Sequence, residues 1–196
     1  ALFCQAEGLK VQVFEAAPAL SEVGAGITVP PNGLQVLARL GLDSQVRSAG
    51  AVRPGGEGWD AKAGRLSEFD LTPFEASLGQ PMVGIHRGRL QSILVDALEP
   101  GILRLGARGK GFTQGPGGVE LTLENGEVIE GRCLIGADGL RSVIRGQLFP
   151  ERQPRFSKQI CWRGLMSEGD LSEAPGITRE IWGGRARLGF LPIGGG

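Results

Sequence analysis

No tyrosine occurs among the 196 residues, and histidine occurs once, as His86. A single histidine excludes any metal centre that needs two, and no GxSxG surrounds a serine, so a Ser-His-Asp hydrolase has little support. The three cysteines, Cys4, Cys133 and Cys161, are odd in number, far apart and without CxxC spacing. That argues against a disulfide framework and a zinc site, and the expected setting is reducing and cytoplasmic. Charge of one sign is lacking too, since Lys plus Arg and Asp plus Glu both number 21. No net field draws the chain to nucleic acid or an anionic membrane, so any phosphate it binds must be held locally. No apolar run is long enough to span a bilayer, and the start lacks the basic-then-apolar layout of a secretory leader.

Glycine is abundant, with 34 residues, and 41% of the chain is hydrophobic. This is the composition of a globular protein with many tight turns or close backbone approaches, without a fixed repeat. Residues 1–8, ALFCQAEG, read as the last turns of a helix stopped by Gly8. LKVQVFE then alternates Val11 and Val13 with Lys10 and Gln12, as a strand closing on Glu15. PPNGLQVLARLGL predicts a helix capped by Asn32, with Leu34, Leu37 and Leu40 at helical spacing and Gly41 as its stop. RGRLQSILVDALEP predicts another, because Leu90, Ile93, Leu94, Ala97 and Leu98 fall on one face before Pro100. GGVELTLENGEVIE predicts a hairpin turning at Asn125-Gly126. Cys133, Leu134 and Ile135 read as a strand covered on both faces, in a parallel sheet between helices. Beyond Pro150, QICWRGLM and REIWGGRARLGFLPI read as strands separated by the turn-rich SEGDLSEAPG, and the sequence reads as cut at both ends.

Several polar residues stand at the junctions of these elements. Glu15 occupies the place of the acid that hydrogen-bonds a ribose about twenty residues after a glycine-rich turn, but that turn would precede Ala1. A solvated carboxylate at a strand end is the other reading. Gly24 to Gly26 follow no strong strand and meet Pro30 and Pro31 in place of a helix, so they fail as GxGxxG. They read as a loop of close backbone approach, with Thr28 offering a hydroxyl. Arg87 and Arg89 sit in the first turn of a helix, where the dipole disfavours each cation by about 0.3–1 kcal/mol. A pyrophosphate would offset this, as would solvent or surface acids, and His86 reads as structural. If Gly139 opens a helix, Asp138, Ser142 and Arg145 lie at i, i+4 and i+7 on one face. Asp138 is then either a cap or a residue facing sugar hydroxyls or an arginine, since a carboxylate repels phosphate.

Taken in order, VFEAAPALSEVGAGITVPPNGLQVLARLGL, GIHRGRLQSIL and CLIGADGLRSVIR resemble the FAD-dependent aromatic hydroxylases. These are single-component flavoprotein monooxygenases that include salicylate and urate hydroxylases. The resemblance covers most of residues 1–150, and ICWRGLM extends it weakly. It implies an α/β fold, with a partial Rossmann-like FAD-binding domain over 1–150 built of a parallel sheet with helices and a β-hairpin or meander. The start of a β-sheet substrate region follows over 151–196, and 51–80 contributes to the substrate side. By the same resemblance Glu15 holds the FAD adenosine ribose, Thr28 lies in a loop touching FAD and Arg87 contacts the cofactor. Asp138 falls in an Asp-Gly motif associated with FAD and NAD(P)H, whose pattern Ser142 and Arg145 complete.

The implied reaction uses NAD(P)H and O2 to hydroxylate a small aromatic ring, with FAD carrying the chemistry, so no catalytic dyad need be visible. Arg163, on the predicted CWRGLM strand, is a substrate-side candidate because a guanidinium pairs with an aromatic carboxylate. A surface arginine on a sheet is the other reading. The departures from the family are the missing glycine fingerprint and the missing later Gly-Asp motif, for which Gly169-Asp170 is no substitute. With no tyrosine in this stretch, no Tyr within it can contact a substrate phenol, and these residues alone are not expected to hold FAD tightly. Two other readings stay open: an FAD-dependent reductase or dehydrogenase without oxygen insertion, and a non-catalytic interaction module.

Overall fold

The computed structural model describes residues 1–20, 25–152, 154–167 and 177–194. The chain divides into two compact units that interleave in sequence: Ala1, Lys10–Leu20 and Glu99–Trp162 form one, and Leu2–Leu9, Ser21–Leu98 and Arg163–Gly196 form the other.

In the first unit β1 (Val13–Phe14) runs parallel to β7 (Leu103–Arg104). LKVQVFE therefore forms a shorter strand than its alternation suggests, because this ladder extends over only two residues of each partner. The Arg104 guanidinium lies 5.4 Å from the Phe14 ring centroid and makes a forked pair with Glu127 at 2.8 and 2.6 Å. β8 (Gly109–Gly115), β9 (Gly118–Leu123) and β10 (Val128–Gly131) form an antiparallel sheet in the order β10-β9-β8. The expected Asn125-Gly126 turn joins β9 to β10, with Gly126 at φ +88°, a conformation in which glycine carries no steric cost. Ala107, Leu121 and Leu123 are buried beneath it, and Phe14, Ile129, Leu134 and Ile144 pack against them.

α6 (Val143–Leu148) is tied to β8 by Gln147, whose Oε1 accepts the Phe112 N–H at 3.0 Å while its Nε2 donates to the Phe112 carbonyl at 2.5 Å. The expected strand at Cys133–Ile135 is absent, and Ile135 is 74% exposed. An apolar run becomes a strand only when a neighbour takes up its backbone groups, and none does so here among the described residues.

The second unit holds two sheets. β2 (Gly26–Val29), β6 (Val83–His86) and β3 (Ala51–Val52) form an antiparallel sheet with β6 in the middle. α2 (Pro31–Ala38), α3 (Asp43–Ala49) and α5 (Arg87–Asp96) cover it, burying Val29, Leu34, Val46, Val83 and Ile85, with Leu37, Leu90 and Ile93 packed alongside. Each of the five buried side chains contributes about 1.5–3 kcal/mol relative to exposure. Asn32 is not the cap of α2: Pro30 holds that position, Pro31 opens the helix and Asn32 lies within it. The fixed φ of proline suits a first helical residue, so the expected helix starts at Pro31, just before the residue expected to cap it. Gly8 and Gly41, at φ +68° and +71°, follow α1 (Leu2–Ala6) and α2 as expected stops.

The other sheet has the order β12-β11-β4-β5, from β12 (Ala186–Phe190), β11 (Thr178–Gly183), β4 (Gly55–Asp60) and β5 (Gly64–Asp70). β4 and β11 are parallel, and the outer pairs are antiparallel. After β5 the chain makes α4 (Thr72–Leu78) on its way to β6. REIWGGRARLGF thus folds as a hairpin, whereas QICWRGLM forms no strand and leaves Trp162 90% exposed. Most of SEGDLSEAPG, with Gly169-Asp170, lies outside the described residues.

The segment from Leu191 to Gly194 crosses the three-stranded sheet in backbone contact with it. A Cβ on Gly84 would clash with the Pro192 carbonyl oxygen, and one on Gly26 with Ile193 Cγ2. Gly84→Ala should therefore lower unfolding free energy by about 1–3 kcal/mol, the usual cost of overpacking. Gly146→Ala, in α6 where an added Cβ meets nothing within 4 Å, should raise it by about 0.5–1 kcal/mol. Urea unfolding of the two variants checks both signs.

Candidate functional site

In the first unit, Glu15 follows β1 directly and is fastened at both ends of its backbone: its N–H donates to Arg104 O and its carbonyl accepts from Ala107 N–H, each at 2.9 Å. The half-buried carboxylate accepts the Ala17 N–H at Oε1, 2.8 Å away, and Oε2 has no partner among the described residues. An oriented carboxylate with one open oxygen at the end of a parallel strand can accept a hydrogen bond from a sugar hydroxyl.

The Asp138 junction differs from its expected geometry. The helix begins at Val143, not at Gly139, which adopts φ +82°, so Asp138 precedes it in an extended loop. Ser142 is the N-cap and accepts the Arg145 N–H at 2.9 Å. Asp138 Oδ1 accepts the Ser142 hydroxyl at 2.5 Å, and Oδ2 accepts the amides of Val143 and Ile144 at 2.7 and 3.3 Å. The Arg145 guanidinium turns back onto the loop, donating to the carbonyls of Gly139 and Leu140. The three residues do converge, through a capped loop in place of a shared helix face, and their mutual bonds account for their types at these positions.

Partial burial pushes the Asp138 carboxyl up, but the bonds from the Ser142 hydroxyl and the amides of Ile144, Asp138 itself and Val143 together outweigh it, so its pKa is lowered. Ile144 packs on the same core cluster as Phe14, the neighbour of Glu15, so one core anchors both acidic positions.

In the second unit, β2 pairs with β6 so that Gly26 faces His86 and Thr28 faces Gly84, and the Arg87 N–H reaches the Ala25 carbonyl at 3.4 Å. Arg87 opens α5, and its side chain and that of Arg89 are exposed, with no carboxylate pair among the described residues. Two free guanidinium groups beside helix N-terminal amides suit an anion such as phosphate. Val23 and Gly24 lie outside the described residues. Arg163 is exposed, outside any strand.

Thr28 leads to a residue that sequence reasoning missed. Its Oγ1 accepts the Arg53 Nη1–H at 2.9 Å, and Arg53 Nε donates to Thr178 Oγ1 at 2.5 Å. Nothing local marks Arg53, because both partners are remote in sequence. On the four-stranded sheet Glu57 receives Trp59 Nε1–H at 2.8 Å and pairs with Arg179 at 3.0 Å and Arg65 at 3.4 Å. The Trp59 bond is the largest of the influences that leave the Glu57 carboxyl below its usual pKa. Among the described residues no helix is long and apolar enough to cross a membrane.

No family model matches the chain. Aurachin C monooxygenase/isomerase of Stigmatella aurantiaca is 40% identical over 191 residues, which are 96% of this chain and 49% of that protein. Salicylate hydroxylase of Pseudomonas putida is 32% identical over 179 residues, 87% of this chain and 41% of that one. The chain thus spans about half the length of the curated relatives it matches. Among solved structures, Klebsiella pneumoniae HpxO complexed with FAD and uric acid covers 100% of this chain with 50% of its own, at a TM-score of 0.83 and 22% identity. 2-Methyl-3-hydroxypyridine-5-carboxylic acid oxygenase covers 98% with 51% of its own, at a TM-score of 0.76 and 24% identity. These two likenesses establish the fold.

Two substitutions separate the contributions at the junction. Ser142→Ala should cost about 1 kcal/mol of stability, the usual loss for an N-cap. Because the folded Asp138 pKa is lowered, its carboxylate stabilises the fold above the unfolded value of about 3.9, and this contribution disappears as pH falls through the folded pKa. Asp138→Asn should therefore be less stable than the wild type near neutrality and converge with it on acidification, as followed by urea unfolding at several pH values.

Proposed function

We propose that this relative of the FAD-dependent aromatic hydroxylases is part of a flavin monooxygenase that hydroxylates a small aromatic ring with NAD(P)H and O2. The observation that carries the reading is the 40% identity across 191 residues to a monooxygenase. The fold shared with a protein solved with FAD and uric acid and with an aromatic-acid oxygenase supports it.

The residues present suit FAD. Glu15, with one open carboxylate oxygen, would accept from the adenosine ribose hydroxyls. Arg87 at the head of α5 would neutralise the pyrophosphate, and the β2 backbone around Thr28 would line the cofactor. Asp138, Ser142 and Arg145 hold the loop before α6 in one conformation, and that ordered loop is their contribution to cofactor binding. Bound FAD would supply the redox chemistry, accepting two electrons from NAD(P)H and passing them to O2, one atom of which enters the ring while the other leaves as water. Within the second unit, the covered three-stranded sheet is assigned to cofactor binding and the four-stranded sheet, drawn from 55–70 and 178–190, to the substrate side. Arg163 is retained as a candidate contact for a substrate carboxylate.

The intact protein should purify with, or take up, flavin, and should oxidise NAD(P)H faster in the presence of aromatic acids. Failure to take up FAD sinks the reading. Product that gains no label from isotopic O2 assigns the protein to the reductases or dehydrogenases instead. Asp138→Ala is expected to weaken FAD or NAD(P)H binding by more than it lowers stability, and parallel losses in titration and unfolding would reduce Asp138 to a cap.

A further inference from the structure

Arg53 lies between β3 and Pro54, is only 7% exposed, and anchors its backbone by donating its N–H to Met82 O at 2.8 Å. Its guanidinium bridges the two sheets of the second unit: Nη1 donates to Thr28 Oγ1 on β2 at 2.9 Å and Nε to Thr178 Oγ1 on β11 at 2.5 Å. Nη1 also faces the Met82 sulfur at 3.4 Å. All three acceptors are neutral, and no carboxylate lies within ion-pair reach of Arg53 among the described residues.

A guanidinium has five N–H donors. Those on Nε and Nη1 are engaged, whereas the two on Nη2 have no acceptor among the described residues. Burying a cation without an anion costs several kcal/mol, and arginine does not relieve the cost by losing its proton. Joining Thr28 to Thr178 needs a hydrogen-bond donor but not a charge, so the bridge alone does not explain an arginine. A planar oxyanion does, since it complements a guanidinium edge in both charge and shape.

We propose that Arg53 is an anion-recognition residue, whose Nη2 edge binds the carboxylate or ring oxyanion of the aromatic substrate between the Thr28 strand and the Thr178 strand. The aromatic part of the ligand rests on the monooxygenase reading, and the anionic part rests on Arg53 itself. Position supports the pairing of the two. Arg53 joins the strand assigned to cofactor contact with the sheet assigned to the substrate side, so an anion held there sits at the junction of both. Arg53 takes no part in the redox step and acts by binding.

The test compares benzoate with its neutral analogue benzamide on the intact protein, by ligand-induced thermal shift and, with FAD bound, by flavin difference spectra. The wild type should bind benzoate more tightly than benzamide. Arg53→Met should weaken benzoate by about tenfold or more, the loss expected of a charge-assisted hydrogen bond, and leave benzamide within about twofold. Arg53→Lys keeps the charge but not the fork, so it should fall between the two, and it carries the test if the Met variant does not fold. Thr178→Val, which removes one neutral acceptor, should preserve the preference for benzoate.

Equal weakening of both ligands, an unchanged benzoate affinity in Arg53→Met, or a wild type indifferent to the ligand's charge would each overturn the proposal. The thermal shift needs no flavin. Arg53-dependent benzoate binding in a protein that takes up no FAD would therefore defeat the monooxygenase reading and leave the anion site standing, and the reverse pattern would do the opposite.

Discussion

A strand buried on both faces must have its backbone hydrogen bonds completed on both edges, and β6 meets that demand with β2 on one side and β3 on the other. Val83 and Ile85 are fully buried there, between the helices and the crossing segment at Leu191–Gly194. The residues of interest in the second unit hang from this pairing. β2 presents Thr28, β3 delivers Arg53, and β6 itself runs into α5, whose first residue is Arg87. A shift of β2 by one residue would turn Thr28 to the opposite face and undo its bond to Arg53. The central strand thus fixes geometry at a distance while carrying no polar side chain to the site apart from its last residue, His86.

The parts legible in the sequence were those whose causes are local. The first turns of α5, the Asn125-Gly126 hairpin and the stops at Gly8 and Gly41 depend on residues within a turn or two and form where the pattern places them, although α5 ends at Asp96, short of the expected Ala97 and Leu98. The parts that escaped depend on remote partners. Cys133–Ile135 has a strand's composition without a strand to pair with, and QICWRGLM likewise stays irregular. The four-stranded sheet joins residues more than a hundred positions apart through Gly-rich β4, which no alternation reveals. Arg53 was invisible for the same reason, since its burial is decided by Thr28 and Thr178. Glu15 and the Asp138 trio are marked by residue type and spacing, but the trio meets through a capped loop and not on a shared helix face, because the helix starts four residues after Gly139.

The balanced charge of the chain conceals a division of labour among its ions. Glu57 and Glu127 are matched by arginines, and Asp138 is satisfied by amides and a hydroxyl. Those groups stabilise local structure and have little left to offer a ligand. Arg87, Arg89 and Arg53 are the opposite case, cations without carboxylate partners among the described residues, the first two in solvent and the third buried. Such local imbalance within overall neutrality lets a protein bind an anion without acquiring affinity for polyanions in general.

Gln147 has a bearing on solubility. Among the described residues β8 is an edge of its sheet, and an edge strand offers free amides and carbonyls onto which a strand of another molecule can add. By taking both backbone groups of Phe112, the Gln147 amide occupies the middle of that edge as a short surrogate strand. A side chain that looks like a helix-to-sheet fastener is therefore also a guard against aggregation, and it interrupts the template where a buried aromatic would make stacking most favourable.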